Sequence, residues 1–265
     1  MTRPRETVNL PSPPGASKRY RRHREAAVKN LLIAVAAVCT TLAAANGYAA
    51  DVLRETRPLT GFSRIEVDGQ ADITLRQGTT EGLTLEATAQ GLKQIRTEVR
   101  GRTLRISLVD QGHWWQWMTG GSATRTPRIA IDLIQLERIE AAGAVNIVAD
   151  SLKVNELRLD FAGACKLKIG DLQATKLRLD GAGAIKAEIA GKVTDQDIDL
   201  SGAGSYLAAE LVSDTAGVRV SGAGKAIVNA KTLLRADISG AGLVEYTGNP
   251  RLEQEISGIG KIRRR

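Results

Sequence analysis

From about residue 136 onward the sequence repeats a short glycine-rich unit: Ala141-Ala142-Gly143, Phe161-Ala162-Gly163, Gly181-Ala182-Gly183, Gly202-Ala203-Gly204, Gly222-Ala223-Gly224, Gly240-Ala241-Gly242 and Gly258-Ile259-Gly260. The last glycines of these units lie 20, 20, 21, 20, 18 and 18 residues apart. A cycle this short excludes most helix-pair solenoids, whose repeats run longer. Glycine also costs a helix about 1 kcal/mol per position, so two per cycle argue against helices. Aligned on those glycines, the column four residues earlier reads Ile139, Leu159, Leu179, Leu200, Val220, Ile238 and Ile256. Two residues after the glycine stand Val145, Cys165, Ile185, Tyr206, Ala226, Val244 and Ile262. Apolar residues of one parity on both sides of a glycine mean strands with one face inward.

The sequence therefore predicts an all-β fold, a right-handed parallel β-helix. Gly143, Gly163, Gly183, Gly204, Gly224, Gly242 and Gly260 are its expected structural corners, because a sharp bend needs dihedrals or close approaches that a Cβ forbids. Five residues before each glycine stand Arg138, Arg158, Arg178, Asp199, Arg219, Asp237 and Glu255, which are expected to face solvent. Stacked at ~4.8 Å per step, Asp199, Arg219 and Asp237 would form an alternating-sign ladder.

Residues 52–110 alternate apolar and polar in short runs such as Ile65-Glu66-Val67 and Leu104-Arg105-Ile106, with a hairpin expected at Arg100-Gly101-Arg102. This gives an expected division into a leader (1–50), an N-terminal β-rich section that caps and extends the helix (51–135), and the repeat (136–265). The basic end, Lys261 to Arg265, is expected to cap the far end or to be solvated, with contact to acidic lipid headgroups as the alternative.

The formal net charge of +8 suggests nucleic acid, but its distribution argues otherwise. Residues 1–50 hold eight basic and two acidic residues, which leaves +2 for the rest of the chain. Phosphate affinity needs clustered Lys and Arg, so no nucleic-acid partner is expected. The leader runs from a basic stretch (Lys18 to Lys29) through an apolar one (Leu31 to Leu42) to small residues (Ala43 to Ala50). That order is a secretory signal peptide, with cleavage expected after Ala45 or, preferably, Ala49. The apolar run is shorter than the ~20 residues of a membrane-spanning helix. Export follows, to the periplasm or the surface of a bacterium. With Cys39 in the leader, Cys165 has no internal partner and reads as a small buried hydrophobe.

The segment Gln111 to Gly121 holds all three tryptophans of the chain, Trp114, Trp115 and Trp117, beside His113. Two readings stand. The loop folds back over an end or a side of the β-helix, or its indoles bind a ligand by stacking on sugar rings, entering a lipid interface or anchoring a protein. His113 is the only histidine after the leader, so no multi-histidine metal site is expected and no cofactor is implied. Asp160 and Asp180 fall in one column of adjacent coils, where a polysaccharide-cleaving β-helix could hold paired carboxylates or calcium. Serines 201, 221, 239 and 257 are expected to continue that column. With Arg158, Arg178, Lys166 and Lys168 nearby, charge balance is the expected role of the two aspartates.

The units Ser201-Gly-Ala-Gly204, Ser221-Gly-Ala-Gly224 and Ser239-Gly-Ala-Gly242, with Ser257-Gly-Ile-Gly260, resemble the head GIN domain family of putative autotransporter adhesins. The resemblance extends upstream to Phe62-Ser-Arg-Ile-Glu-Val67 and Asp72-Ile-Thr-Leu75 and covers about residues 59–262. It implies an exported β-helical domain of unknown function and brings no catalytic residues. The expected function is a non-catalytic envelope protein for adhesion or ligand binding, with a cell-surface glycan, an envelope lipid, a protein or a second copy of the chain as partner. The alternatives are a polysaccharide-active enzyme working at Asp160 and Asp180, and a structural protein whose coil ends stack.

Overall fold

The structure of the protein, a computed structural model, describes residues 52–108 and 126–265. The expected leader and the tryptophan segment lie outside the described residues. The rest is nearly all strand, wound into a β-solenoid of about six turns. The expected all-β parallel helix is the fold this chain adopts.

The repeat region runs β7 (Arg138–Lys153), β8 (Glu156–Gly163), β9 (Lys166–Gly183), β10 (Lys186–Gly202), β11 (Ser205–Gly222) and β12 (Lys225–Gly240). It ends in β13 (Leu243–Thr247), β14 (Arg251–Gly258) and β15 (Lys261–Arg264). Neighbouring coils pair in parallel, because each chain segment returns one period later over its predecessor. Alternate residues of each strand point into the lumen, where Leu157, Leu159, Leu177, Leu179 and Ile198 are fully buried. Each such side chain contributes about 1.5–3 kcal/mol by leaving water. The buried core forms one cluster running from Phe62 to Val244, so residues 51–265 contain a complete core of their own.

The pairing corrects the register expected from the last glycines. The corner column is Gly143, Gly163, Gly183, Gly202, Gly222, Gly240 and Gly258, and it reaches back to Gly69. Corner spacings are thus 20, 20, 19, 20, 18 and 18 residues. Gly222 shows why: its φ is +123°, and a Cβ there would sit 2.6 Å from the Gly202 carbonyl oxygen. That carbonyl accepts a hydrogen bond from Ala223 N at 2.9 Å, so it cannot move aside without losing a rung. Gly204, Gly224, Gly242 and Gly260 are not corners in this sense. They stand two residues on and have ordinary φ, over the column that Cys165 and Ile185 occupy in earlier coils.

These later glycines are small because the lumen requires it. A Cβ on Gly224 would meet Val220 Cγ1 at 2.8 Å, and one on Gly242 would meet Ile238 Cγ2 at 3.0 Å. In the earlier coil the sizes are reversed, with Gly181 before the corner and Ile185 after it. One large and one small side chain share the space beside each of these corners, as close packing demands.

The N-terminal end is built differently. Strand β2 (Arg64–Gln77) is a full rung, bent at Gly69 and paired in parallel with β7. On its other edge lie β5 (Thr103–Leu108) and β6 (Arg128–Leu133). Antiparallel strands complete this end: β3 (Gly82–Thr88) on β6, β1 (Val52–Arg57) on β3, and β4 (Ile95–Arg100) on β5. The β4–β5 hairpin turns at Gly101. A short helix α1 (Ala89–Gln94) links β3 to β4, and its first turn is capped by Thr88 Oγ1, which accepts from Gly91 N at 3.1 Å.

Candidate binding face

Outward positions before the corner form straight columns. One reads Arg64, Arg138, Arg158, Arg178 and Asp197; the next reads Arg105, Glu66, Glu140, Asp160, Asp180, Asp199, Arg219, Asp237 and Glu255. Asp160 and Asp180 are therefore neighbours, and Asp199 is the third of the row. The serines expected to follow them do not: Ser201, Ser221, Ser239 and Ser257 continue Ala142, Ala162 and Ala182, two residues nearer the corner. The cause is the same register shift between Gly183 and Gly202. Asp199, Arg219 and Asp237 are stacked in the expected alternating order, with Arg219 Nη1 donating to Asp199 Oδ2 at 2.9 Å.

Arginines and carboxylates interlock across coils. Arg138 Nε donates to Asp160 Oδ2 at 2.7 Å, Arg158 Nε reaches the same oxygen at 3.0 Å, and Arg158 Nη2 reaches Asp180 Oδ2 at 3.2 Å. Arg178 Nε closes the row on Asp180 at 3.0 Å. Burial pushes the Asp160 carboxyl up, but hydrogen bonds from Arg158 and Arg138 outweigh it and hold the group below its ordinary value. Hydrogen bonding to Asp160 and Asp180 likewise raises Arg158 and Arg178. Beside this row runs an open groove of about 600 Å³, lined by Glu66, Asp68, Glu140, Asp160, Asp180 and Asp199 with the alanine column as its other side.

The chemistry available here is limited. Glycoside hydrolysis needs a carboxylic acid whose pKa is raised so that it can protonate a leaving group. Asp160 is shifted the other way and is saturated by guanidinium donors. Among the described residues no three His, Cys, Asp or Glu side chains are placed to hold a metal ion. Cys165 is buried, with its thiol pushed up mainly by burial, which makes it a poor nucleophile.

Trp114, Trp115, Trp117 and His113 lie outside the described residues, but the chain ends that flank them are fixed. Leu108 ends β5 against Gly69, whose Cβ position lies 2.9 Å from Leu108 Cβ. Thr126 Oγ1 accepts from Gln70 Nε2 at 3.0 Å, and Pro127 O accepts from Asp72 N at 3.0 Å. The segment is thus inserted at the corner of the N-terminal rung, where other rungs turn within a few residues. The carboxylate row was within reach of sequence reading through Arg138-x-Glu140, Arg158-x-Asp160 and Arg178-x-Asp180, whose acids all stand three residues before a glycine of the repeat; Glu66 joins it only through pairing.

Fold and face together define a parallel β-solenoid with regular outer ladders and carboxylates matched to arginines. The family described as "Putative auto-transporter adhesin, head GIN domain" matches residues 61–250, and the chain belongs to it. Among solved structures, the chain is similar to a putative adhesin from Bacteroides fragilis, with 20% identity and a TM-score of 0.76, over 82% of this chain and 98% of that one. It is similar to a putative adhesin from Parabacteroides distasonis, with 19% identity and a TM-score of 0.61 over 82% and 98%. A putative lipid binding protein from the same species shares 20% identity, with a TM-score of 0.60 over 83% and 97%. These likenesses bear on the fold alone. No curated protein matches the chain.

Proposed function

We propose that the protein is a non-catalytic, exported binding protein of the bacterial cell envelope, whose solenoid displays a ligand-binding loop for adhesion to surface molecules. The observation that carries this reading is the carboxylate row: the residues best placed for catalysis are neutralised by arginines. Membership of an adhesin head family and the expected signal peptide support export to the periplasm or cell surface. The ligand-binding residues in this reading are Trp114, Trp115 and Trp117 with His113, set on the corner insertion. Their indole faces suit the apolar faces of sugar rings, so a cell-surface glycan is the ligand class.

The test is a glycan-array and envelope-lipid binding screen on residues 51–265, comparing wild type with the Trp114→Ala, Trp115→Ala, Trp117→Ala triple variant after circular dichroism shows both folded. Glycan binding lost in the variant supports the reading. Glycan turnover by the wild type, abolished by Asp160→Asn, would replace it with an enzyme. Absence of any binding would leave the structural role.

A further inference from the structure

The charge of the exported part is unevenly placed. Residues 51–250 carry 24 basic and 25 acidic side chains, whereas residues 251–265 carry five basic and two acidic ones. Those fifteen residues form the last rung, β14 and β15 with the corner between them. Each strand of this rung is paired on one side only, β14 to β12 and β15 to β13. At the opposite end antiparallel strands join the edge, and the lumen residues Leu83, Leu85 and Leu104 are fully buried. At the last rung Ile259 is 88% exposed and Ile256 41%. Ile259 occupies the position that Ala203, Ala223 and Ala241 hold in the preceding units, and it is far more exposed than Val52 and Leu53, at 48% and 45%, on the edge strand of the other end.

The cations here divide into two sets. Arg251 pairs with Glu253, and Arg263 pairs with the buried Glu245. Lys261, Arg264 and Arg265 have no carboxylate partner among the described residues. The chain is nevertheless held to its end, because Arg265 N donates to Tyr246 O at 2.9 Å. An exposed isoleucine on a rung that also carries unpaired cations fits the interface of a negatively charged bilayer, where apolar side chains enter the acyl boundary and basic ones meet headgroups. A second copy of the chain fits poorly. On the edge strands of the far end, β1 and β4, both glutamates are already paired, Glu55 with Arg57 and Glu98 with Arg100, so end-to-end stacking offers the cations of the last rung no free carboxylate on those strands.

We propose that the last rung docks on an anionic lipid bilayer, with Ile259 inserted and Lys261, Arg264 and Arg265 on the headgroups. The proposal does not rest on the tryptophan segment. The test is cosedimentation of residues 51–265 with vesicles of phosphatidylcholine alone or mixed with phosphatidylglycerol. Binding is expected only to the mixed vesicles and weakens as salt rises. Ile259→Ala installs the residue the preceding units use and leaves the fold intact; it weakens binding about tenfold. The variant with Lys261→Gln, Arg264→Gln and Arg265→Gln loses about a hundredfold, at about fivefold per charge. Leu53→Ser, at the other end, changes nothing. Equal binding to both vesicle types, binding to neither, or undiminished binding by the Ile259 and cation variants would overturn the proposal. So would binding lost only when the three tryptophans are replaced.

Discussion

The coils from Arg138 to Gly183 and those from Ser201 to Gly260 use nearly the same Gly-Ala-Gly words to build opposite packings. In the earlier coils the last glycine of the unit makes the bend, and the lumen residue after it is the larger at Val145 and Ile185, which face Ala141 and Gly181, while Phe161 and Cys165 divide the space the other way round. In the later coils the first glycine makes the bend, the large residue comes before it, as with Leu200 and Val220, and the last glycine is packing space. The outer surface changes with them: alanines and an interlocked arginine–aspartate row on one side, a serine column on the other. A tripeptide therefore does not specify a corner. The corner falls where a positive φ and a neighbour's carbonyl coincide.

The sharpest way to break this comparison is to cross the glycines. Gly183→Ala and Gly222→Ala each force a Cβ into left-handed backbone within 2.6 Å of a carbonyl oxygen, at φ of +113° and +123°. Each should cost about 3–5 kcal/mol, enough to threaten folding. Gly181→Ala meets side-chain atoms and no backbone, Ile185 Cγ1 at 3.1 Å, Leu200 Cδ2 at 3.4 Å and Leu179 Cδ2 at 3.5 Å, at an ordinary φ, and should stay within about 1 kcal/mol of wild type. Gly224→Ala, against Val220 Cγ1 at 2.8 Å, should fall between, at about 1–3 kcal/mol. Urea midpoints decide it. If Gly181 proves as intolerant as Gly183, the two registers are not distinct.

How much of this was legible follows from the same residues. The period, the parallel coils and the inward aliphatic columns could be read because a cycle near 20 residues leaves few other folds. The hairpin at Gly101 could be read from its turn residues. The shift between Gly183 and Gly202 could not, because aligning the coils on either glycine of each unit leaves an apolar column. Only strand pairing separates Leu200 opposite Gly181 from Leu200 opposite Leu179. The error carried outward, since a slip of two residues keeps the side-chain parity and moves Ser201 into the column of Asp180. The site was legible to a smaller degree: Asp160 and Asp180 came together as expected, while the tryptophan segment has no strand period to place it.

The junction coil offers a subtler probe, because it holds a polar chain where coils before it are aliphatic. Tyr206 donates to Gln196 Oε1 at 2.8 Å, Gln196 Nε2 donates to Ser213 Oγ at 2.8 Å, and Ser213 donates to Asn229 O at 2.9 Å, with all three side chains buried. Gln196 stands in the column of Leu177. Tyr206→Phe strands the Gln196 oxygen and should lower stability by about 1–3 kcal/mol. Adding Gln196→Leu, the residue of the preceding coils, should recover part of that loss. A double variant no more stable than Tyr206→Phe alone would mean that this coil requires its polar chain.

The smallest effect distinguishes the outer faces. Asp160 is held below its ordinary pKa of 3.8 by Arg158 and Arg138, so the unfolded chain takes up its proton before the folded one does as pH falls. Its contribution is therefore complete above that value and disappears as pH drops through the lowered folded pKa. Asp160→Asn should cost about 1 kcal/mol near neutrality, a modest figure because the arginines around it are well exposed and screened by salt. Well below 3.8 the gap between wild type and variant should close. Ser221→Ala, on the serine column of the later coils, should cost under about 0.5 kcal/mol at every pH. Urea unfolding of the three proteins across the acid range tests both claims. A pH-independent loss in Asp160→Asn would mean that the aspartate acts through packing rather than charge, and the two faces would then differ in composition but not in how they hold the coils together.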